Sequence, residues 1–474
     1  MSKTQHLIEG PINKALLSLA IPIVFGQLLQ SAYQLTDAFW VGRLGADEVA
    51  AVSVSMPVTF LVIALGAGLA MAGATLTAQY MGAGQMDKVN HVAGQTMLMV
   101  FITSVVLGVI GYLLSPYFLT LLGVEQAVYT NALSFMHISF ISVIFVFVYN
   151  MFQALMRGIG QVKIPLYIVL GTVLLNFVLD PLFIFGLGGF EGLGVSGAAL
   201  ATLVTQALAA LAGFYILSKG RHGIHLKWKD LSPDWTYIKR AFFLGAPGSV
   251  ELSARALGLI TMSFLVASFG TVTIASYGVG SNILQLITIP AMGLSMAVST
   301  LVGQNLGANR VDRAAKITVI GSVWSFVMLT MIGIFAFLMA PSVIRFFIPD
   351  NPQVIEQGAQ FLRVMCLSWG FIGIQLSIMS AFRASGNMTN SMVLSLLTQW
   401  VFQFPLAYIL SKHTYLAEQG IWWSFAITNV MVALVAIAWY ARGSWKKTRI
   451  IEQDDVETLV TSEEALIEVG ERRA

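Results

Sequence analysis

The chain has 474 residues, of which 57% are hydrophobic and 10% charged, with a formal net charge of +3; soluble domains carry about 25% charged residues. That composition excludes a water-soluble globular protein and leaves no role for a nucleic-acid partner. A single cysteine, Cys366, excludes an internal disulfide and argues against a cysteine-based metal site.

Apolar stretches of about 20 residues, enough to cross a hydrocarbon core, recur along almost the whole chain. They predict twelve transmembrane helices, near 15–40, 49–79, 91–114, 128–156, 164–186, 194–218, 238–268, 273–299, 315–340, 354–382, 389–410 and 419–441. The first stretch is too long for a signal-peptide core and leads straight into further spans, so it reads as helix one. With twelve spans both termini share a side. Of the 26 Lys and Arg residues, 21 fall on that side, Arg43, Arg345 and Lys412 on the other, and Arg255 and Arg363 within apolar stretches. The positive-inside rule then places both termini in the cytoplasm of a cell whose inner membrane holds the protein. The basic cluster Lys219, Arg221, Lys227, Lys229, Lys239 and Arg240 reads as a topology anchor beside anionic lipid. The acidic stretch 450–474 reads as a loosely ordered tail without chemistry.

The first span contains Pro22, which removes a backbone hydrogen bond inside a helix, and then Tyr33, Gln34 and Asp37 toward its outer end. The fifth carries Asn176 and Asp180, four apart and hence on one helix face. Rising about 1.5 Å per residue from the cytoplasmic side, both acids reach the outer half of the bilayer, and Thr202 of the sixth span reaches a similar level. Ionisable groups at membrane depth are expensive and by default functional. Together Asp37, Asn176, Asp180 and Thr202 offer oxygen ligands for a hard cation such as Na⁺, or two nearby carboxyls that share a proton. The competing bland reading makes Asp37 a helix cap and Asp180 the start of a turn before Pro181. In span seven, Glu251 and Arg255 are spaced i, i+4, which points to a structural ion pair, with a place lining a cleft as the alternative; Tyr33 and Gln34 are further cleft-lining candidates. The six histidines are dispersed and no nucleophile–base pair or phosphate-cradling loop is evident, so the chain does not read as an enzyme.

The chain also repeats itself. Shifted by 225 residues, Pro22 falls on Pro247, and residues 68–87 match 293–312 at ten of twenty positions without a gap. A shift of 226 places Arg157 on Arg383, in the stretches after the fourth and tenth spans. Six helices per repeat is an even number, so the copies are related by an axis along the membrane normal and face each other across a cleft. This predicts an all-α membrane protein of two pseudo-symmetric six-helix lobes, 1–218 and 238–441, joined by a basic linker at 219–237 and followed by a tail at 442–474. The acids break the symmetry, because Met262 stands opposite Asp37, and Pro405 or Leu406 opposite Asp180.

These features resemble the multidrug and toxic compound extrusion (MATE) family. The resemblance is carried by Ala20-Ile21-Pro22 with Asp37, by the matched segments Gln79–Gly84 and Gln304–Asn309, by Asn176–Ile184 and by Gly194–Thr202. It implies a V-shaped pair of six-helix lobes that expels amphipathic and cationic drugs or dyes in exchange for H⁺ or Na⁺, as a monomer and without a cofactor. In the DinF-like branch the coupling residues are an aspartate on helix one, an Asn and Asp four apart on helix five and a threonine on helix six, with helix one bending at its proline. Asp37, Asn176, Asp180, Thr202 and Pro22 match that pattern. Another branch couples through acids on helices seven and ten; Glu251 matches the first, but only Gln375 and Ser377 stand where the second is wanted. Two alternatives share the architecture: a flippase for a lipid-linked or polyanionic precursor, which should line its cleft with several cations, and an exporter of one specific metabolite.

Overall fold

The computed structural model describes residues 7–187, 189–448 and 450–451 of the chain. The acidic tail beyond residue 451 lies outside the described residues. Among the described residues, eleven helices are long and apolar enough to cross a membrane, and one bent pair, counted as one span, makes a twelfth. The first bundle is α1 (Ile12–Val41), α2 (Ala46–Gly82), α3 (Met86–Leu121), α4 (Gln126–Gly158), α5 (Lys163–Phe185) and α6 (Val195–Lys219). The second runs α7 (Trp235–Ala267), α8 (Thr271–Gly307), α9 (Val311–Leu338), a short α10 (Ala340–Phe347), the bent pair α11 (Pro352–Cys366) and α12 (Trp369–Ala384), then α13 (Met388–Lys412) and α14 (Glu418–Ala441). A two-residue antiparallel pairing of 186–187 with 190–191 turns the chain between α5 and α6.

Large apolar side chains remain exposed on almost every span, among them Phe25, Phe60, Leu113, Tyr167, Phe264, Met331 and Leu434. On a water-soluble protein such surface would aggregate; here it is the face that meets lipid. The tenth span departs from a straight helix. It bends by 50° between Cys366 and Trp369, where no proline stands. Instead the Ser368 hydroxyl donates to the Met365 carbonyl (3.0 Å) and accepts from Asn429 Nδ2 (3.0 Å), so side-chain hydrogen bonds replace the helical ladder at the break. Within α13, residues Leu397–Gln403 widen into a π turn just before Pro405, whose missing N–H interrupts the regular pattern.

The two bundles meet along the end that carries the termini. The first half of α1 (Ala15, Leu16, Leu19, Ile23) packs on the second half of α8 (Leu294, Ala297, Val298, Leu301), and α7 leans on α2 in the corresponding way. At the tips α2 and α8 cross backbone to backbone. A Cβ on Gly82 would lie 1.9 Å from the Gln304 carbonyl oxygen, and one on Gly307 1.9 Å from that of Gln79. Only glycine permits this crossing. Beside it two buried glutamines reach across reciprocally: Gln79 Nε2 donates to the Ala384 carbonyl (2.7 Å) and Gln304 Nε2 to that of Gly158 (2.8 Å). The structure is therefore closed at the terminal end.

The linker is more than a charged tether. Gln95 of α3 donates to the carbonyls of Asp230 (2.8 Å) and Ser232 (2.6 Å) and accepts from the Asp234 amide (2.9 Å), which docks the segment on the first bundle. Asp234 then caps α7 by accepting from the Tyr237 amide (3.1 Å). That amide, and more weakly His91, holds the Asp234 carboxyl below the usual carboxylate range.

Candidate functional site

The acids gather at the far end of the first bundle. Helical spacing puts Asn176 directly before Asp180 on α5, and Asn176 Nδ2 donates to Asp180 Oδ1 at 2.9 Å. Both residues are 0% exposed. The facing turn of α1 presents Asp37, whose Oδ2 accepts from Thr202 Oγ1 of α6 at 3.4 Å and whose carboxyl lies within reach of Asp180 and Asn176. Trp40 holds the end of α1 against α5, with Phe177 and Phe185 edge-on to its ring at 6.1 Å. One turn further in, the buried Tyr33 hydroxyl meets Thr205 Oγ1 at 2.7 Å. Thr205 escaped the sequence reading; it lies one residue short of a helical turn beyond Thr202, so spacing alone would have offered it. Gln34 is exposed and, among the described residues, makes no hydrogen bond to the cluster.

Among the described residues, three oxygens of this cluster are buried without a hydrogen-bond partner: Asp37 Oδ1, Asn176 Oδ1 and Asp180 Oδ2. A buried acceptor with no donor costs about 1–3 kcal/mol. The arrangement is one that a proton or a small cation completes.

The second bundle treats its charges differently. Glu251 is 0% exposed and does not line an open cleft. Its nearest cation is not Arg255, four residues on at 3.9 Å, but Arg383 of α12, which pairs with it directly. Ser391 Oγ donates to the other carboxylate oxygen (2.9 Å) and accepts from Arg383 Nε (3.0 Å). Arg255 turns toward Ser395 (3.4 Å). The i, i+4 pair expected from spacing is thus the weaker part of a network whose main tie spans 132 residues. The sequence pattern puts Arg383 and its repeat mate Arg157 after the spans; each instead occupies the last turn of a helix, α12 and α4. Both are therefore helical residues at the terminal end of the bundles and not parts of connecting loops. Pro22 and Pro247 both lie inside intact helices.

Taken together, the fold and site define a multi-pass membrane protein of two six-helix bundles, sealed against each other at one end and carrying an unsatisfied acid pair at the other end of the first. The MatE family pattern matches residues 22–182 and 247–409, one copy in each bundle. The chain belongs to the MatE family, whose members are transporters and not enzymes. It is 28% identical over 451 residues to the probable multidrug resistance protein YoeA of Bacillus subtilis, covering 94% of this chain and 97% of that one. A second Bacillus subtilis protein, the probable multidrug resistance protein YpnP, is 27% identical, with 95% and 100% covered. The solved structure of a MOP superfamily transporter from Pyrococcus furiosus superposes with a TM-score of 0.88 at 24% identity, over 94% of this chain and 100% of that one. That likeness establishes the shared V-shaped, twelve-helix fold.

Proposed function

We propose that the protein is a secondary antiporter that expels small amphipathic and cationic compounds in exchange for H⁺ or Na⁺ bound at Asp37, Asn176, Asp180 and Thr202. The observation that carries this reading is the set of three buried, partnerless oxygens on facing helices. A shared proton would serve the two carboxyl oxygens; Na⁺ would also take the Asn176 carbonyl. The names of the two Bacillus subtilis relatives support multidrug compounds as cargo. The charge bias of the loops supports an inner-membrane placement with both termini cytoplasmic, and the residue pattern supports the DinF-like branch acting as a monomer.

In this reading a cation arriving from the side away from the termini neutralises the acid pair. The outer part of α1 then rearranges about Pro22, where the helix lacks one hydrogen bond, and displaces the bound compound outward. Closure on that side and opening of the terminal end carry the cation inward. Proteoliposomes test it: with a pH or Na⁺ gradient imposed, Asp37→Asn and Asp180→Asn variants should each lose gradient-driven transport of a fluorescent cation. Transport at the normal rate in both variants refutes the reading.

A further inference from the structure

The repeat gives the network around Glu251 a counterpart in the first bundle, and that counterpart is missing its anion. Arg157 corresponds to Arg383. Gly26, four residues after Pro22, stands where Glu251 stands four residues after Pro247, and Pro165 stands where Ser391 donates to that glutamate. Gly26, Arg157 and Pro165 line a single cavity of about 40 Å³ between α1, α4 and α5. Gln153, one turn before Arg157 on the same helix face, lines it too. No hydrogen bond or ion pair among the described residues reaches the Arg157 guanidinium. Arg157 is half-buried in the last turn of α4, so its guanidinium faces this cavity without a counter-charge and within reach of an entering anion. Its five donors form a fork suited to carboxylate or phosphate, and the Gln153 amide adds two more. Glycine at position 26 leaves the space that the glutamate side chain fills in the other bundle: a Cβ there would meet nothing nearer than Leu166 at 4.0 Å.

We propose that this cavity is an anion-binding site, in which a carboxylate or phosphate group takes the place that the Glu251 carboxylate holds in the second bundle. The group comes either from an anionic phospholipid or from a small soluble anion; the recognising chemistry is the same. The site lies beside Pro22, on the terminal half of the first bundle, and does not depend on the acid pair at the other end.

Thermal unfolding of the full-length protein in nanodiscs tests this. One series uses phosphatidylcholine alone with inorganic phosphate titrated at constant ionic strength against chloride. A second replaces part of the lipid with phosphatidylglycerol. At least one addition should raise the midpoint of the wild type, and Arg157→Gln should weaken the apparent affinity at least tenfold. Gly26→Glu supplies the missing carboxylate from the chain itself, so it should raise the midpoint without added anion and respond to neither addition. A response to phosphate assigns a soluble anion, and a response to phosphatidylglycerol alone assigns a lipid headgroup. The proposal is overturned if neither addition stabilises the wild type, or if Gly26→Glu is not stabilised and responds like the wild type. The second criterion holds even if Arg157→Gln fails to fold. Asp37→Asn should leave the anion response intact, which separates this site from the coupling reading.

Discussion

Replacing both Gln79 and Gln304 with leucine should release the closed terminal end. Leucine keeps most of the volume of each buried side chain but removes the donors to the Ala384 and Gly158 carbonyls. Each bond contributes about 1–1.5 kcal/mol net, and the abandoned carbonyls are desolvated only while the bundles stay closed. The double variant therefore disfavours the closed form by about 2–3 kcal/mol, a shift of roughly 30- to 150-fold in the closed-to-open ratio, whereas each single variant contributes about half of that energy. The glycine crossing is untouched, so the closed form stays accessible. The exposed repeat mates Asp87 and Asp312, in the first turns of α3 and α9, offer label sites on opposite bundles. With Cys366→Ala, Asp87→Cys and Asp312→Cys in place, pulsed electron spin resonance in nanodiscs reads the spin-label separation. A longer-distance population should appear in the double variant and be intermediate in the singles. If the distance distribution of the double variant matches that of the parent, the glutamines do not hold the bundles together.

Glu251→Gln should destabilise the folded protein by about 3–5 kcal/mol in a detergent thermal melt, because Arg383 loses its buried counter-charge. The double variant Glu251→Met with Arg383→Met should recover much of that loss, an outcome expected of a structural pair and not of a cation-binding acid. Asp234→Ala should loosen the start of α7 by about 1 kcal/mol. The Asp234 carboxyl is held below its usual range in the folded state by the Tyr237 amide, so its contribution is complete at neutral pH and is lost as pH falls through the acidic range. Amide exchange at the first turn of α7 should therefore accelerate in the variant at neutral pH and converge with the parent in acid.

The spans were legible because a hydrocarbon core demands length and apolarity of every crossing segment, and those signals survive without tertiary information. Most predicted ends fall within a few residues of the helices; the third and eighth are longer, the eighth running on to Gly307 where it crosses α2. The break in the tenth span was not legible, since a serine and a distant asparagine make it instead of a proline. The geometry around Asp180 follows from an i, i+4 spacing, whereas its meeting with Asp37 depends on how α1 packs against α5. Arg157 and Arg383 were misread for a physical reason: a charged residue at the edge of an apolar run looks the same whether the helix has ended or makes one more turn. With Arg383 outside the span, the i, i+4 spacing points to Arg255 as the partner of Glu251.

Duplication gave the two bundles one frame, and substitution filled the frame with opposite electrostatics. In the second bundle Glu251 is tied to Arg383 and, more weakly, to Arg255, so its buried acid carries its own counter-charge. In the first bundle charged groups at both ends lack partners among the described residues, carboxyl oxygens at one and the Arg157 guanidinium at the other, and α1 contributes to both sites through Asp37 and Gly26. Pro22 lies four residues from the second of these. In the antiport proposed above, α1, which links the acid site to the basic one and lacks a hydrogen bond at Pro22, is the element through which ion occupancy biases a symmetric frame. That helix packs on the second bundle through Ala15, Leu19 and Ile23 against α8, so the antiport proposed above requires its outer part to move while this contact holds.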